Sequence, residues 1–455
     1  MALGGGTWIS QNKTLPGTYI NFVSAARASS SLSERGVAAM PLVLSWGPDG
    51  EVFTVTAEEF QKNSMKIFGY AYGDDAIKGI TDLFQNIRQG IFYKVNANGT
   101  AASNKFATAR WKGTRGNDLK IVIEKGEGYV ESSNEVYNVL TYLGTVLVDE
   151  QYGVKTAAEL TDNDYVIWQD APLELTASTP LTSGTDGTAD SSAYQTFLNK
   201  IDSYTFNTMG CTSTDEAVKK LFVDFTKNMR DNYGIKFQTV LYQYKQADHE
   251  GIISVENSAS AASAAGFAVV GEAKAAAPVE ESALVYWVTG AESGCAVNKD
   301  LTNAVYTGSF APNVDYTQIQ LEEALKAGKF MFHRVGDEIR VLEDINTFVS
   351  VTDEKSKDFG NNQVIRVLDQ IGNDIAALFN SKYLGKVPND DAGRISLWND
   401  IVKHHQDLQV LRAIENFNPD NVTVAKGETK TSVVVTDQVT PVSSMRQLYM
   451  TVIVM

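Results

Sequence analysis

Cysteine, histidine and long apolar runs are scarce in this 455-residue chain, and each shortage removes a class of function. Cys211 and Cys295 stand far apart, with no second Cys or His at ligand spacing. A zinc knuckle is excluded and a disulfide framework is not expected. Both read as small buried hydrophobes of a reducing compartment. Nowhere do about 18 apolar residues occur together, so no membrane-spanning helix is expected. The first residues lack the basic-then-apolar pattern of an export signal, which makes assembly in the cytoplasm the expectation. Basic charge is short as well: 39 Lys and Arg face 55 Asp and Glu, a net charge of −16, with no basic run. A protein that coats nucleic acid needs the opposite balance.

Catalytic signatures are equally thin. Among the four histidines, His249 lies in Asp248-His249-Glu250, but no Gly-x-Ser-x-Gly elbow accompanies it, so it reads as a surface-loop histidine. His404 and His405 are adjacent on an expected helix and point about 100° apart, which rules out the i, i+4 chelation of a metal. The glycine-rich loops lack the Gly-Lys-Ser/Thr ending of a phosphate loop, and no Gly-x-Gly-x-x-Gly joins a strand to a helix. No catalytic, cofactor-binding or metal-binding residue is assigned. The doublets Asp74-Asp75, Glu322-Glu323 and Asp390-Asp391 read as first-turn helix carboxylates.

What is present is length and pattern. The chain is long enough for about two to four domains. Residues 1–33 are rich in Gly, Ser, Ala and Asn. From Arg35 to Leu44 a strand is expected, then a helix capped by Asp74 over Asp75 to Asn86, then the strand Ile91 to Val95. Between Thr100 and Leu175 short alternating segments predict an antiparallel sandwich or barrel. From Ser191 strands alternate with helices again, including a helix Thr214 to Tyr233 capped by Thr214, which predicts a mainly parallel sheet. A helix with Pro278 in its first turn carries Leu284, Trp287, Val288 and Ala291 on one face. A hairpin turns at Gly336-Asp337, and two long helices over Asn361 to Leu384 and Asp390 to Phe417 precede the strands around Val422 to Val424 and Ser432 to Thr436. The segment Arg446 to Met455 is apolar on both alternating faces, with Thr451 the exception in its last eight residues, and reads as a strand covered on both sides.

Several stretches in this order carry a family pattern: Leu15-Pro16-Gly17-Thr18-Tyr19-Ile20, Gly113-Thr114-Arg115-Gly116-Asn117, Leu181 to Gly187, Ile253-Ser254-Val255-Glu256-Asn257 and Trp287 to Lys299. Over essentially its whole length the chain resembles contractile tail sheath proteins of myophages and phage-tail-like (R-type) bacteriocins. The resemblance implies an α/β multidomain protein with a subtilisin-like α/β core over 34–98 and 185–347. An antiparallel β-sandwich is inserted at 99–184, and an α+β C-terminal domain covers 348–455. Extended linking arms are implied at 1–33 and 446–455.

It implies a structural subunit, not an enzyme, that forms a helical homopolymer of stacked rings around a tail tube and contracts to drive the tube through a cell envelope. Its implied partners are further copies of itself, the tail tube protein, and baseplate and tail terminator proteins. No cofactor, direct nucleic-acid contact or membrane insertion is implied. The particle is a virion tail or bacteriocin assembled in the host bacterial cytoplasm. Links between subunits fall to Tyr19, Ile20 and Phe22 in the first arm and to Leu448, Tyr449, Met450, Val452, Ile453 and Val454 in the last. Tube contact is assigned to Arg394, Lys403, His404, His405 and Arg412, the positive groups of the second tail helix. Competing readings are an α/β hydrolase-like enzyme and a self-assembling surface-layer protein.

Overall fold

The segment Val37–Leu42 (β1) has no polar face to turn to water, so it is stable only where both sides are covered. The computed structural model, which describes residues 32–260 and 280–454, provides that cover with a seven-stranded sheet. Its other strands are Phe53–Thr56 (β2), Gln89–Lys94 (β3), Thr208–Cys211 (β4), Gln238–Tyr242 (β5), Ile252–Val255 (β6) and Lys329–Phe330 (β7), in spatial order β7-β6-β5-β4-β1-β3-β2. All neighbours pair in parallel except β2 with β3. Parallel pairing needs crossovers, and helices lie in all of them but the short step from β5 to β6.

Those helices are Ala57–Phe68 (α1), Lys78–Phe84 (α2), Ser191–Ile201 (α3), Glu216–Asp231 (α4) and Leu284–Gly294 (α5). Because strand side chains alternate, β1 sends Ala38, Met40 and Leu42 to one core with Leu83 of α2 and Leu284 and Val288 of α5. Ala39 goes to the opposite core, with Met209, Phe197 of α3 and Phe222 of α4. Gly290 sets how closely α5 meets α2, since a Cβ there would lie 2.5 Å from the Leu83 carbonyl oxygen.

Some expected boundaries shift. Asp74 caps by accepting the Ala76 amide, but Asp75–Ile77 is a 3₁₀ turn and the α-helix starts at Lys78. The cap of α4 is Asp215 rather than Thr214, because the Asp215 carboxylate accepts the Ala217 amide. Glu322 and Glu323 sit in the second turn of the helix Gln318–Lys326, which Thr317 caps. Helix α1, not expected, begins with a reciprocal capping box between Thr56 and Glu59. Pro278 lies outside the described residues.

Between β3 and α3 the chain forms a four-stranded antiparallel sheet, ordered Val146–Val154, Tyr137–Leu143, Leu119–Lys125, Thr176–Pro180, and a ladder of Ala107–Ala109 with Val166–Trp168. Phe106, Ile121, Val139 and Val166 fill its interior, joined by Trp46 from the segment after β1. The hairpin Phe332–Val335 with Glu338–Val341 turns at Gly336-Asp337.

The chain divides into two compact units, one of 34–372 with 441–454 and one of 373–440 with Ser33. Helix Asn362–Leu378 (α6) contributes its residues to Gly372 to the first. In the second, α6 passes into a π turn, Phe379–Tyr383, followed by helix Asp391–Val410 (α7), capped by Asp390, and the hairpin Val422–Lys426 with Val433–Asp437. Leu378, Tyr383, Leu397, Ile401, Val402 and Val422 form its core. Cys211 and Cys295 are buried free thiols, pushed up to about 12 and about 11 by burial.

Candidate assembly surface

In the first unit the terminal segment is held at its root and exposed beyond it. The root is Arg446, whose guanidinium donates to Glu343 Oε1 at 2.6 Å, Asp300 Oδ2 at 2.9 Å and Asn361 Oδ1 at 2.8 Å. Ser444 adds its amide to Gln363 Oε1 at 2.9 Å and its hydroxyl to Asp300. Past this anchor no strand pairing is assigned among the described residues, and Leu448, Tyr449, Met450, Val452, Ile453 and Val454 are 71–90% exposed. The expected two-sided cover is therefore not provided by the described residues. Each such side chain gains about 1.5–3 kcal/mol on burial, so the six amount to about 9–18 kcal/mol before ordering costs. A single copy leaves that term unrealised.

The wall that receives Arg446 is made rigid by buried charge. Arg366, on α6, donates to Glu292 Oε2 at 2.7 Å, Asp344 Oδ2 at 3.2 Å and the Lys299 carbonyl at 2.6 Å. Asn362 donates to Glu292 Oε1 and Asp344 Oδ1 while accepting from Gln238 of β5. Burial, together with the neighbouring Asp344, pushes the Glu292 carboxyl well up, so Glu292 is the partner that takes a proton. One turn along α6, Asp369 receives a two-pronged pair from Arg230 of α4 at 2.7 and 2.8 Å. Sequence reading missed Arg446, Arg366 and Arg230. For Arg446 the signal was present as a lone cation inside an apolar terminal run.

The five residues assigned to tube contact separate. Lys403 is exposed and loosely paired with Asp407 at 3.3 Å, and Arg412, also exposed, follows the last turn of α7 with φ of 60°. Arg394 is largely covered, donating to the Asn389 carbonyl and side chain and to Asp391. His404 and His405 are 1% and 0% exposed and bind Asp374 and Asp437, so they are corrected from the solvent face of α7 to its inner face. Tyr19, Ile20 and Phe22 lie outside the described residues.

His249 is likewise buried rather than a surface-loop residue. Its Nδ1 accepts the Gly251 amide at 3.0 Å, which puts the ring proton on Nε2, facing Asp231 at 3.3 Å. Burial keeps it neutral by lowering its pKa. Asp231, His249 and Glu250 converge closely enough to suggest a cation site. A metal on Nε2 needs the opposite tautomer, however, and Lys355 already occupies both Glu250 oxygens at 2.9 and 3.0 Å.

Family models match in sequence along the chain: the tail sheath protein Gp18 domain III N-terminal region at 35–86, the phage tail sheath β-sandwich domain at 96–186, the central domain at 187–347 and the C-terminal domain at 354–455. The phage-like element PBSX protein XkdK of Bacillus subtilis is 28% identical over 99% of both chains. The crystal structure of the sheath tail protein from Desulfitobacterium hafniense is 33% identical, covers 95% of this chain and 99% of its own, and superposes with a TM-score of 0.79. The helical sheath of the anti-feeding prophage in its contracted state shares the fold at 13% identity, with a TM-score of 0.54 over 96% of this chain and 99% of that one.

Proposed function

The chain belongs to the phage tail sheath family and is a structural sheath subunit of a tail or contractile particle; from that premise we propose that its copies are linked by exchanged terminal segments. The observation that carries this reading is the segment after Arg446, anchored at its root and bare beyond it. A neighbouring copy that adds Leu448 to Val454 to its own sheet supplies both the backbone partners and the apolar cover that the described residues of one chain do not give. Tyr19, Ile20 and Phe22 make the reciprocal link from the first arm.

In this reading the core is subtilisin-like in winding only, built from 34–98 and 185–347, with the sandwich 99–184 facing outward and the C-terminal domain 348–455 meeting a tail tube. Strands from both sides of the insertion sharing one sheet support that division. Copies stack as rings on the tube between baseplate and terminator proteins, in the cytoplasm of a host bacterium. The extended lattice is metastable. Contraction turns the bulky domains into fuller contact, and a few kcal/mol from each of many subunits drive the tube without nucleotide or active site. The subunit works as a polymer element and not as an enzyme.

Negative-stain microscopy of the purified full-length protein tests this. Rings or tubes are expected. Dispersed single subunits that never polymerise at raised concentration would overturn it.

A further inference from the structure

The polymer reading leaves unused a buried polar chain in the second unit. Asp374 Oδ2 lies 2.9 Å from His404 Nε2, His404 Nδ1 lies 3.2 Å from His405 Nδ1, and His405 Nε2 lies 2.6 Å from Asp437 Oδ2. An ionised carboxylate only accepts, so each outer contact requires a proton between oxygen and Nε2. Two neutral imidazoles carry two protons, and both are then spent. The central contact would be two bare nitrogens facing each other at 3.2 Å between two buried rings, with Phe417 edge-on to His405. Three links need three protons.

We propose that Asp374, His404, His405 and Asp437 form a proton-binding site that holds one proton beyond those of two neutral histidines and two carboxylates, and that this proton fastens the root of the first arm to the tail hairpin. Asp437 supports the count independently, since its Oδ1 is buried with no hydrogen-bond partner among the described residues. A carboxylate left half-satisfied is costly to bury ionised, and a proton passed along the chain to Oδ2 relieves that cost. Among the described residues, the groups in contact with the two rings are Asp374 from α6 on His404, and on His405 Asp437 from the last strand of the hairpin and the uncharged Phe417 ring from the segment after α7.

The ends of the chain of links give it a role. At one end Ser33, the root of the first arm, donates its hydroxyl to Asp374 Oδ1 at 2.5 Å and its amide to Oδ2 at 3.4 Å. At the other, Asp437 is the last residue of the tail hairpin's second strand. Removing the shared proton breaks the middle link. Adding a second proton sets two N–H groups against each other there.

A metal is the competing occupant, because two Nδ1 atoms backed by carboxylates resemble a ligand pair with its outer shell. Among the described residues no third His, Cys, Asp or Glu ligand converges on them.

The proton count fixes the pH dependence. Unfolded histidines titrate near about 6.5. Below that value the unfolded chain binds two extra protons and the folded chain one, so stability rises with pH; above it the unfolded chain binds none and the folded chain still one, so stability falls. The unfolding equilibrium constant of the full chain, relative to the His404→Gln/His405→Gln double variant, is expected to change about tenfold per pH unit on each side, with its minimum near about pH 6.5. A ratio that is flat above that pH and changes about a hundredfold per unit below it overturns the proposal. Should the variant not fold, magic-angle-spinning ¹⁵N spectra of the histidine-labelled wild-type chain decide: an N–H···N coupling between two ring nitrogens is expected. Two bare Nδ1 signals, or stoichiometric metal in elemental analysis, overturn it.

Discussion

At the scale of single residues, buried charge carries the sharpest consequence. Arg366 is the cation between Glu292 and Asp344, and all three are at most 1% exposed. Replacing Arg366 with Met keeps the length and removes the charge, leaving two buried carboxyl groups with the Asn362 amide but without their cation. The expected loss is about 3–5 kcal/mol, the cost typical of a buried pair broken from one side. A denaturation midpoint unchanged from wild type would refute that. This cluster was illegible in the sequence because its members come from residues 292, 344, 362 and 366, and no local spacing joins them. The histidine pair was misread for a different reason. Adjacency fixes the angle between two side chains but not the face of the helix they occupy. That face was readable from Leu397, Ile401, His404, His405 and Leu408, which recur at helical spacing and are all buried.

At the scale of elements, α7 has two unlike faces. Its inner face packs Leu397, Ile401 and the histidines, while Lys403 points outward and Arg412 follows its last turn. Reversing Lys403 and Arg412 together to Glu is expected to leave the melting temperature within about 2–4 °C, as surface changes usually do. The same change should abolish co-sedimentation of the sheath with tubes. Normal assembly on tubes would remove α7 from the contact. Element type followed from apolar spacing for α3, α4, α7 and the tail hairpin, although the cap of α4 lay one residue beyond the expected one. Helix α1 escaped notice although its capping box, Thr56 with Glu59, stood in the sequence, because its apolar face is short: Phe60, Ser64 and Phe68 are its buried positions. The turn at Asp75–Ile77 was absorbed into a longer expected helix for want of a signal that separates a 3₁₀ start from an α start.

At the scale of the whole molecule, a folded subunit retains an end it does not cover. Removing residues 448–455 takes away side chains that are exposed at each described position, 448–454, so a two-state melt is expected to be nearly unchanged while polymers disappear from micrographs. Polymers formed by the truncated chain would assign the link elsewhere. The sequence announced this segment by its composition, and what it could not announce was the anchor, because Asp300, Glu343 and Asn361 are brought to Arg446 only by folding. That anchor has a mechanical meaning. Tension arriving along the terminal segment from a moving neighbour would meet a guanidinium shared among three side chains before it reached the central sheet. Ion pairs of this kind can slip and re-form, whereas a sheet once torn must refold. A subunit tethered in this way yields first at its fastening and keeps its body intact through a violent stroke.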